Sequence, residues 1–260
     1  MTSSPDTGDL LGELELALEL AQLGADIALP RFRDRDFTVT IKPDGSPVTN
    51  VDQAVERALR ARIAEAHPDH AVTGEEYGDT GESDWRWYLD PIDGTKHYVA
   101  GDPLWMVLVA LAHRERVQVG VVMFPARGER WWAARGQGAF RDGEPIAVSR
   151  TARLRDAVVA DDWRETLARG VTDHPLASLA ARAGGILPHE GYNFLSVAAG
   201  RADVALGLGA FSWDYAPATV IVEEAGGRFT DFDGGPRFDA RRAVVTNGLL
   251  HDEVLAALRE

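Results

Sequence analysis

Two apolar, β-branched runs, Leu104–Ala112 and Val117–Phe124, are separated only by the charged turn His113–Arg116. Runs of that length and composition read as strands of a sheet. Trp85–Leu89, Arg130–Ala134 and Ile146–Val148 read as further strands, and Asp142-Gly143 marks a tight hairpin turn. Upstream, Leu10–Leu29 is rich in Leu, Ala and Glu and predicts an amphipathic helix that Pro30 should end. Asp34–Pro47 is polar, with turn signals at Pro43-Asp44-Gly45. Thr49 or Asn50 can cap a second helix, in which Val51, Val55, Leu59 and Ile63 recur at helical spacing and which Pro68 closes. Two helices followed by a meander of strands predict an α+β layer.

Composition shifts near Ser149–Asp156. Beyond it, strand-like pieces at Val158-Val159, Ala202–Leu206, Arg228–Phe232 and Ala243–Thr246 alternate with helical ones over Pro175–Gly184, Tyr192–Ala199 and Tyr215–Ala225. The expected organisation is an N-terminal α+β half (1–150) and a C-terminal α/β half (151–260), with a cleft between them.

The chain has 260 residues, 45% of them apolar, enough for a sizeable core. A net charge of −14 argues against nucleic acid or an anionic membrane as partner. The absence of cysteine excludes disulfides and thiolate metal sites. No apolar run reaches membrane-spanning length. Met1–Asp9 is polar and acidic and reads as a loose tail rather than a signal peptide, so a cytoplasmic location is expected. The seven histidines are scattered without metal-ligand spacing.

The chemistry is concentrated in Asp90-Pro91-Ile92-Asp93-Gly94-Thr95 and, far downstream, Trp213-Asp214. Carboxylates so placed suit a hard divalent cation such as Mg²⁺. Gly94 and Thr95 open a short helical piece whose amides suit a phosphate. Pro91 stiffens the turn that aims both aspartates. Glu75-Glu76 follows Gly74 in a loop-like stretch. Each piece alone has an ordinary reading, as a turn, a helix cap or solvated surface. Their combination points to a metal site beside a phosphate site. Bound cations would also reconcile an acidic chain with an anionic ligand.

Gly74-Glu75-Glu76, the Asp90–Thr95 string and Trp213-Asp214 with Glu224-Ala225-Gly226-Gly227 resemble, in order, the signature segments of the inositol monophosphatase family. The similarity runs from Lys42 to Thr246-Asn247-Gly248, and Arg31-Phe32-Arg33, Trp131–Gly136 and Glu223–Thr230 look most like its histidinol-phosphatase branch. The resemblance implies a layered αβαβα sandwich, a homodimer, and Mg²⁺-dependent hydrolysis of a small phosphate monoester with two or three ions. Glu75, Asp90 and the Ile92 carbonyl would hold one ion, Asp90, Asp93 and Asp214 a second, and a third would sit near Glu75. Glu75 and Thr95 would position and deprotonate the attacking water, Asp52 would accept a hydrogen bond from the Thr95 hydroxyl, and the Gly94 and Thr95 amides would bind the phosphate. Lys42 can add a point charge to that phosphate or remain a solvated loop lysine.

Histidinol phosphate is the first substrate expected and inositol phosphate the second, with another sugar or cyclitol phosphate as a further alternative. Relatives acting on the first two usually carry, seven residues before the aspartate matching Asp214, a Glu that contacts the leaving group; here it is Gly207. Asp161, Asp162 and Glu190 are candidate replacements. His97 stands where the family usually has Asn and is expected to be structural. Trp213 is expected to pack as an anchor for Asp214, and of Trp131-Trp132 one ring should face the core and the other the surface or a partner chain. The non-enzyme alternative is a silent metal-binding regulatory homologue, against which stands the retention of every carboxylate and of Thr95.

Overall fold

The computed structural model of the chain describes residues 10–160, 179 and 181–259. In chain order the elements are α1 (Leu11–Asp34), β1 (Val39–Ile41), β2 (Pro47–Thr49), α2 (Asn50–Ala66), β3 (Ala71–Gly74), β4 (Gly78–Thr80), β5 (Trp85–Asp93), α3 (Thr95–Ala100), β6 (Met106–His113), β7 (Arg116–Phe124), β8 (Glu129–Ala134), β9 (Ala139–Arg141) and β10 (Glu144–Ile146). They continue with β11 (Val158–Ala160), β12 (Gly185–Leu187), α4 (Asn193–Ala198), β13 (Val204–Leu208), α5 (Ser212–Glu224), β14 (Arg228–Thr230), β15 (Arg242–Thr246) and α6 (His251–Ala257).

Eight strands form one sheet in the order β10-β9-β8-β7-β6-β5-β3-β4, antiparallel except where β3 runs parallel to β5. Five form a second, β12-β11-β13-β15-β14. Alternation along the strands shows how the layers stack. Val107, Val109 and Leu111 of β6 bury against α1 and α2, while Met106, Leu108 and Ala110 join a core shared with α4 and α5. In the second sheet Ala205, Ala243 and Val245 enter that same central core, whereas Val204, Leu206 and Val244 face a third cluster with Val254 and Leu255 of α6. The result is helix, sheet, helix, sheet, helix, the expected sandwich. α5 is buried from Tyr215 to Val222, as a helix between two sheets must be. No helix among the described residues is long and apolar enough to cross a membrane.

The hairpin turns fall where expected. Arg114 (φ 58°) and the pair Asp142-Gly143 (φ 51° and 91°) supply the positive φ that two-residue hairpins need. Trp131 is buried, and Trp132, on the opposite face, stacks on Phe140 at 5.7 Å. One expectation is corrected. Pro30 does not end α1, which runs on to Asp34: Phe32 packs on Tyr98 and Trp105 at 5.3 and 5.4 Å, so tertiary burial offsets the lost donor. The turn signalled at Pro43-Asp44-Gly45 is present and closes the β1–β2 hairpin. The C-terminal α6 was not anticipated; it covers the second sheet. The tail Met1–Asp9, Asp161, Asp162 and half of Pro175–Gly184 lie outside the described residues.

Candidate active site

A cavity of about 240 Å³ is lined by Glu75, Asp90, Ile92, Asp93, Gly94, Thr95 and Asp214, so one space gathers residues from β5, α3, α5 and the turn after β3. The C-terminal ends of the parallel strands β3 and β5 lie side by side, Gly74 beside Leu89, which sets Glu75 next to Asp90. Asp90 and Asp93 both belong to β5, which extends past the Leu89 end expected. Residues three apart on a regular strand face opposite sides. Here Asp90 pairs with Leu108 but Asp93 with Met106, a bulge that inserts one extra residue and turns both carboxylates to the same side. Asp214 arrives from the first turn of α5, where its Oδ2 accepts the Phe211 amide at 2.6 Å, so the helix cap also points the carboxylate. Tyr192 fixes that turn by donating its hydroxyl to the Asp214 carbonyl.

Carboxylate oxygens of Asp90, Asp93 and Asp214 lie within 4.8 Å of one another. Burial, reinforced by Glu75, Asp93 and Asp214, drives the Asp90 carboxyl well above its ordinary range. Burial likewise raises Asp214 to about 6. Three carboxylates with a neighbouring carbonyl, Ile92, form an all-oxygen donor set with more negative charge than the nearby protein cations balance. That set fits a hard divalent cation such as Mg²⁺.

Around the cluster one predicted contact is present, that of Thr95 with Asp52. Thr95 donates its hydroxyl to Asp52 Oδ1 at 3.2 Å and lies 3.1 Å from the Ile92 carbonyl. Asp52 is buried, its carboxyl raised by that burial and held by the Thr49 amide at 2.9 Å and the Thr49 hydroxyl at 2.5 Å. Thr49, not Asn50, is therefore the cap of α2. Gly94 (φ 81°) has its backbone so close to Leu104 that a Cβ would stand 2.8 Å from the Leu104 carbonyl. Lys42 is not a solvated lysine: its ammonium lies 2.8 Å from both Glu75 and Glu76, and Glu76 is buried, which lifts its carboxyl to about 7.

Other lining residues were not read from the sequence. Asp44 and Ser46 reach the cavity from the β1–β2 turn, and no local pattern separates them from any polar hairpin tip. Trp213 is corrected: it is half-buried at the rim, stacked on exposed Phe211 at 4.8 Å, because the second position of α5 faces the cavity mouth rather than the core.

A second cavity, also about 240 Å³, shares Asp93, Gly94 and Asp214 with the first and extends over His97, Asn193, Phe194, Gly207 and Tyr215. His97 pairs with Asp102 at 2.9 Å, a structural tie that also holds its ring at the cavity wall. At Gly207 a Cβ would stand 2.5 Å from Tyr215 Cε1 and 2.9 Å from Phe194 Cζ, so aromatic rings occupy the place of a side chain there. Glu190 is bound to Arg201 at 2.6 Å and is not among the described lining residues.

The sequence profile of the inositol monophosphatase family matches residues 12–260. The chain belongs to that family, and with it to the phosphoric monoester hydrolases. A histidinol-phosphatase of Mycobacterium tuberculosis is 39% identical over 95% of this chain and 97% of its own. One from Streptomyces coelicolor is 37% identical over 97% and 98%. Among solved structures, the extragenic suppressor protein suhB of Bartonella henselae superposes with a TM-score of 0.84 at 25% identity, over 96% of this chain and 99% of that one.

Proposed function

We propose that the chain hydrolyses a small phosphate monoester with Mg²⁺, and that histidinol phosphate is the ester to test first. The observation that carries the reading is the meeting of Asp90, Asp93 and Asp214 beside Thr95 in one cavity. Asp90, Asp93 and Asp214 would hold one ion, and Glu75, Asp90 and the Ile92 carbonyl another, with room for a third near Glu75. Mg²⁺ bound there would supply the charge that acidifies a water and stabilises the leaving alkoxide. Thr95, steered by Asp52, and Glu75 orient the attacking water and take its proton. The amides of Gly94 and Thr95 face the phosphate at the start of α3, a role supported by the left-handed Gly94. Lys42 reaches that phosphate only by releasing Glu75 or Glu76. A homodimer is the assembly expected.

Histidinol phosphate is favoured by the names of the two relatives. Inositol 1-phosphate and other sugar or cyclitol phosphates are the alternatives. Release of inorganic phosphate from a panel of these esters, with Mg²⁺ and with EDTA, tests the reading. Metal-dependent turnover is expected. A metal-binding protein that turns over none of them would instead fit a regulatory homologue.

A further inference from the structure

Glu56, on α2, is a fully buried acid with no part in the chemistry assigned above. A carboxylate taken out of water is costly unless its partners satisfy it. Arg60, one helical turn on, donates its Nε at 2.7 Å. The other partners are backbone: Oε2 accepts the Glu76 amide at 2.7 Å, and Oε1 accepts the Tyr77 amide at 3.2 Å. Those amides belong to the three-residue turn Glu75-Glu76-Tyr77 that joins β3 to β4, whose ends pair at Gly74 and Gly78.

A turn leaves backbone donors outside the strand ladder, and each needs an acceptor. Glu75 donates its amide to the Leu89 carbonyl at 3.2 Å, and Glu56 takes the next two. Three successive amides are thus fixed, one to β5 and two to α2, starting at the residue whose side chain enters the cavity beside Asp90. Arg60 extends the tie, donating to the Gly78 carbonyl at 2.5 Å and to the Thr80 hydroxyl at 2.8 Å. Lys42 joins the Glu75 and Glu76 side chains to the β1–β2 turn; the backbone they hang from is held by Glu56. The same contact explains Gly74. Its φ is not left-handed, so the backbone alone does not demand glycine. A Cβ there would overlap Glu56 Oε1 and stand 2.5 Å from Glu56 Cδ, so the glycine leaves open the path by which the carboxylate reaches the turn.

We propose that Glu56 is a positioning residue for the metal site: by holding the Glu76 and Tyr77 amides it fixes the turn from which the Glu75 carboxylate stands beside Asp90, and Gly74 is glycine to admit it. Glu56 itself touches neither ion nor ester. The inference rests on the reading of Glu75 as a metal ligand, and adds to that reading a residue from a different element.

The test titrates Mg²⁺ alone into the full-length chain by calorimetry after EDTA treatment, with Tm in EDTA measured alongside. Glu56→Gln keeps the size but sets an NH₂ donor where the second carboxylate oxygen accepted. It should weaken Mg²⁺ binding about tenfold or more, the loss typical of groups that orient a ligand from behind. Gly74→Ala, which crowds the same carboxylate with one methyl, should do likewise, and it decides the matter if Glu56→Gln does not fold. Tyr77→Phe removes only the hydroxyl contacts of that turn with Arg57 and Gln53, and should leave Mg²⁺ affinity within about twofold of the wild-type chain. A lowered Tm in EDTA with unchanged Mg²⁺ affinity in Glu56→Gln and Gly74→Ala would mean a merely structural role and overturn the inference. Glu75→Gln separates that result from failure of the reading beneath it. Weaker Mg²⁺ binding in Glu75→Gln, with none in the other two variants, would overturn the inference alone. Unchanged affinity in Glu75→Gln would remove Glu75 from the metal site and overturn both.

Discussion

At Asp214 an ordinary and a functional role coincide in one side chain. The carboxylate caps α5 through the Phe211 amide and also joins Asp90 and Asp93. Asp93, lacking such structural duty in the helix, is the cleaner probe. Asp93→Asn should lower kcat by about 100-fold or more, with an unchanged circular dichroism spectrum; near-normal turnover would remove it from the metal site. On the proposed role of Thr95, whose hydroxyl is held by Asp52, Thr95→Ala should lower kcat far more than it raises KM. The acidic cluster also predicts a pH dependence. Without metal, the folded-state values of Asp90 and Asp214 lie above the ordinary 3.8, that of Asp214 at about 6. The fold then holds more protons than the unfolded chain, so this contribution is lost as pH rises through that window. His70 and His251, both depressed to about 4 by burial, act oppositely: stability falls as pH drops from 6.5 toward 4. Mg²⁺ relieves only the carboxylate term. The rise in Tm on adding Mg²⁺ should therefore be small at pH 5 and large at pH 7.5. An increment independent of pH, measured by thermal melting in buffered EDTA and Mg²⁺ series, would contradict the buried-cluster account.

Elements, rather than isolated residues, hold the second tier of the site in place. The capping box of α2 is one: the Thr49 hydroxyl accepts from the Asp52 amide at 3.4 Å, and the Asp52 carboxylate answers by accepting from the Thr49 amide at 2.9 Å. The same Asp52 receives the Thr95 hydroxyl, so the first turn of α2 positions α3. Thr49→Ala should cost about 1 kcal/mol of stability. It should also lower kcat, since Asp52 loses one of the two donors that hold its other oxygen, whereas Thr49→Ser should preserve both properties in parallel melting and kinetic assays. Only part of this device was visible in the sequence: Thr49 and Asn50 both qualify as caps there, and the bonds to Asp52 select Thr49. The continuation of α1 past Pro30 was not visible, since the compensating contacts of Phe32 come from residues 66 and 73 positions away. Trp213 was misplaced for a similar reason: helical periodicity places it on a face of α5 but does not say which face meets the cavity.

For the molecule as a whole, the position of Asp214 depends on how α5 is clamped between the sheets. Gly120 on β7 lets the helix approach: a Cβ there would stand 2.7 Å from the Pro217 carbonyl and 2.7 Å from Val220 Cγ1. Gly120→Ala should cost about 1–3 kcal/mol. By displacing Pro217, three residues beyond Asp214, it should also weaken the Mg²⁺-induced rise in Tm. Gly12→Ala, where nothing lies within 4 Å, provides the control and should be neutral or slightly stabilising. Equal behaviour of the two variants in melts with and without Mg²⁺ would sever the link between α5 packing and the metal site.

The amino-acid sequence by itself determined the chemical inventory and the local devices: the carboxylates and hydroxyl offered to a site, a cap at Thr49 or Asn50, the hairpin turns, and strands whose alternating residues bury on both faces. These depend on interactions within a few residues, so they can be read along the chain. The tertiary structure alone decided that a bulge turns Asp90 and Asp93 to one side, that Lys42 is held between two glutamates, and that Tyr215 and Phe194 fill the place of a side chain at Gly207. Those outcomes follow from strand register, sheet order and the seating of α5, and no rule acting within a few residues carries them.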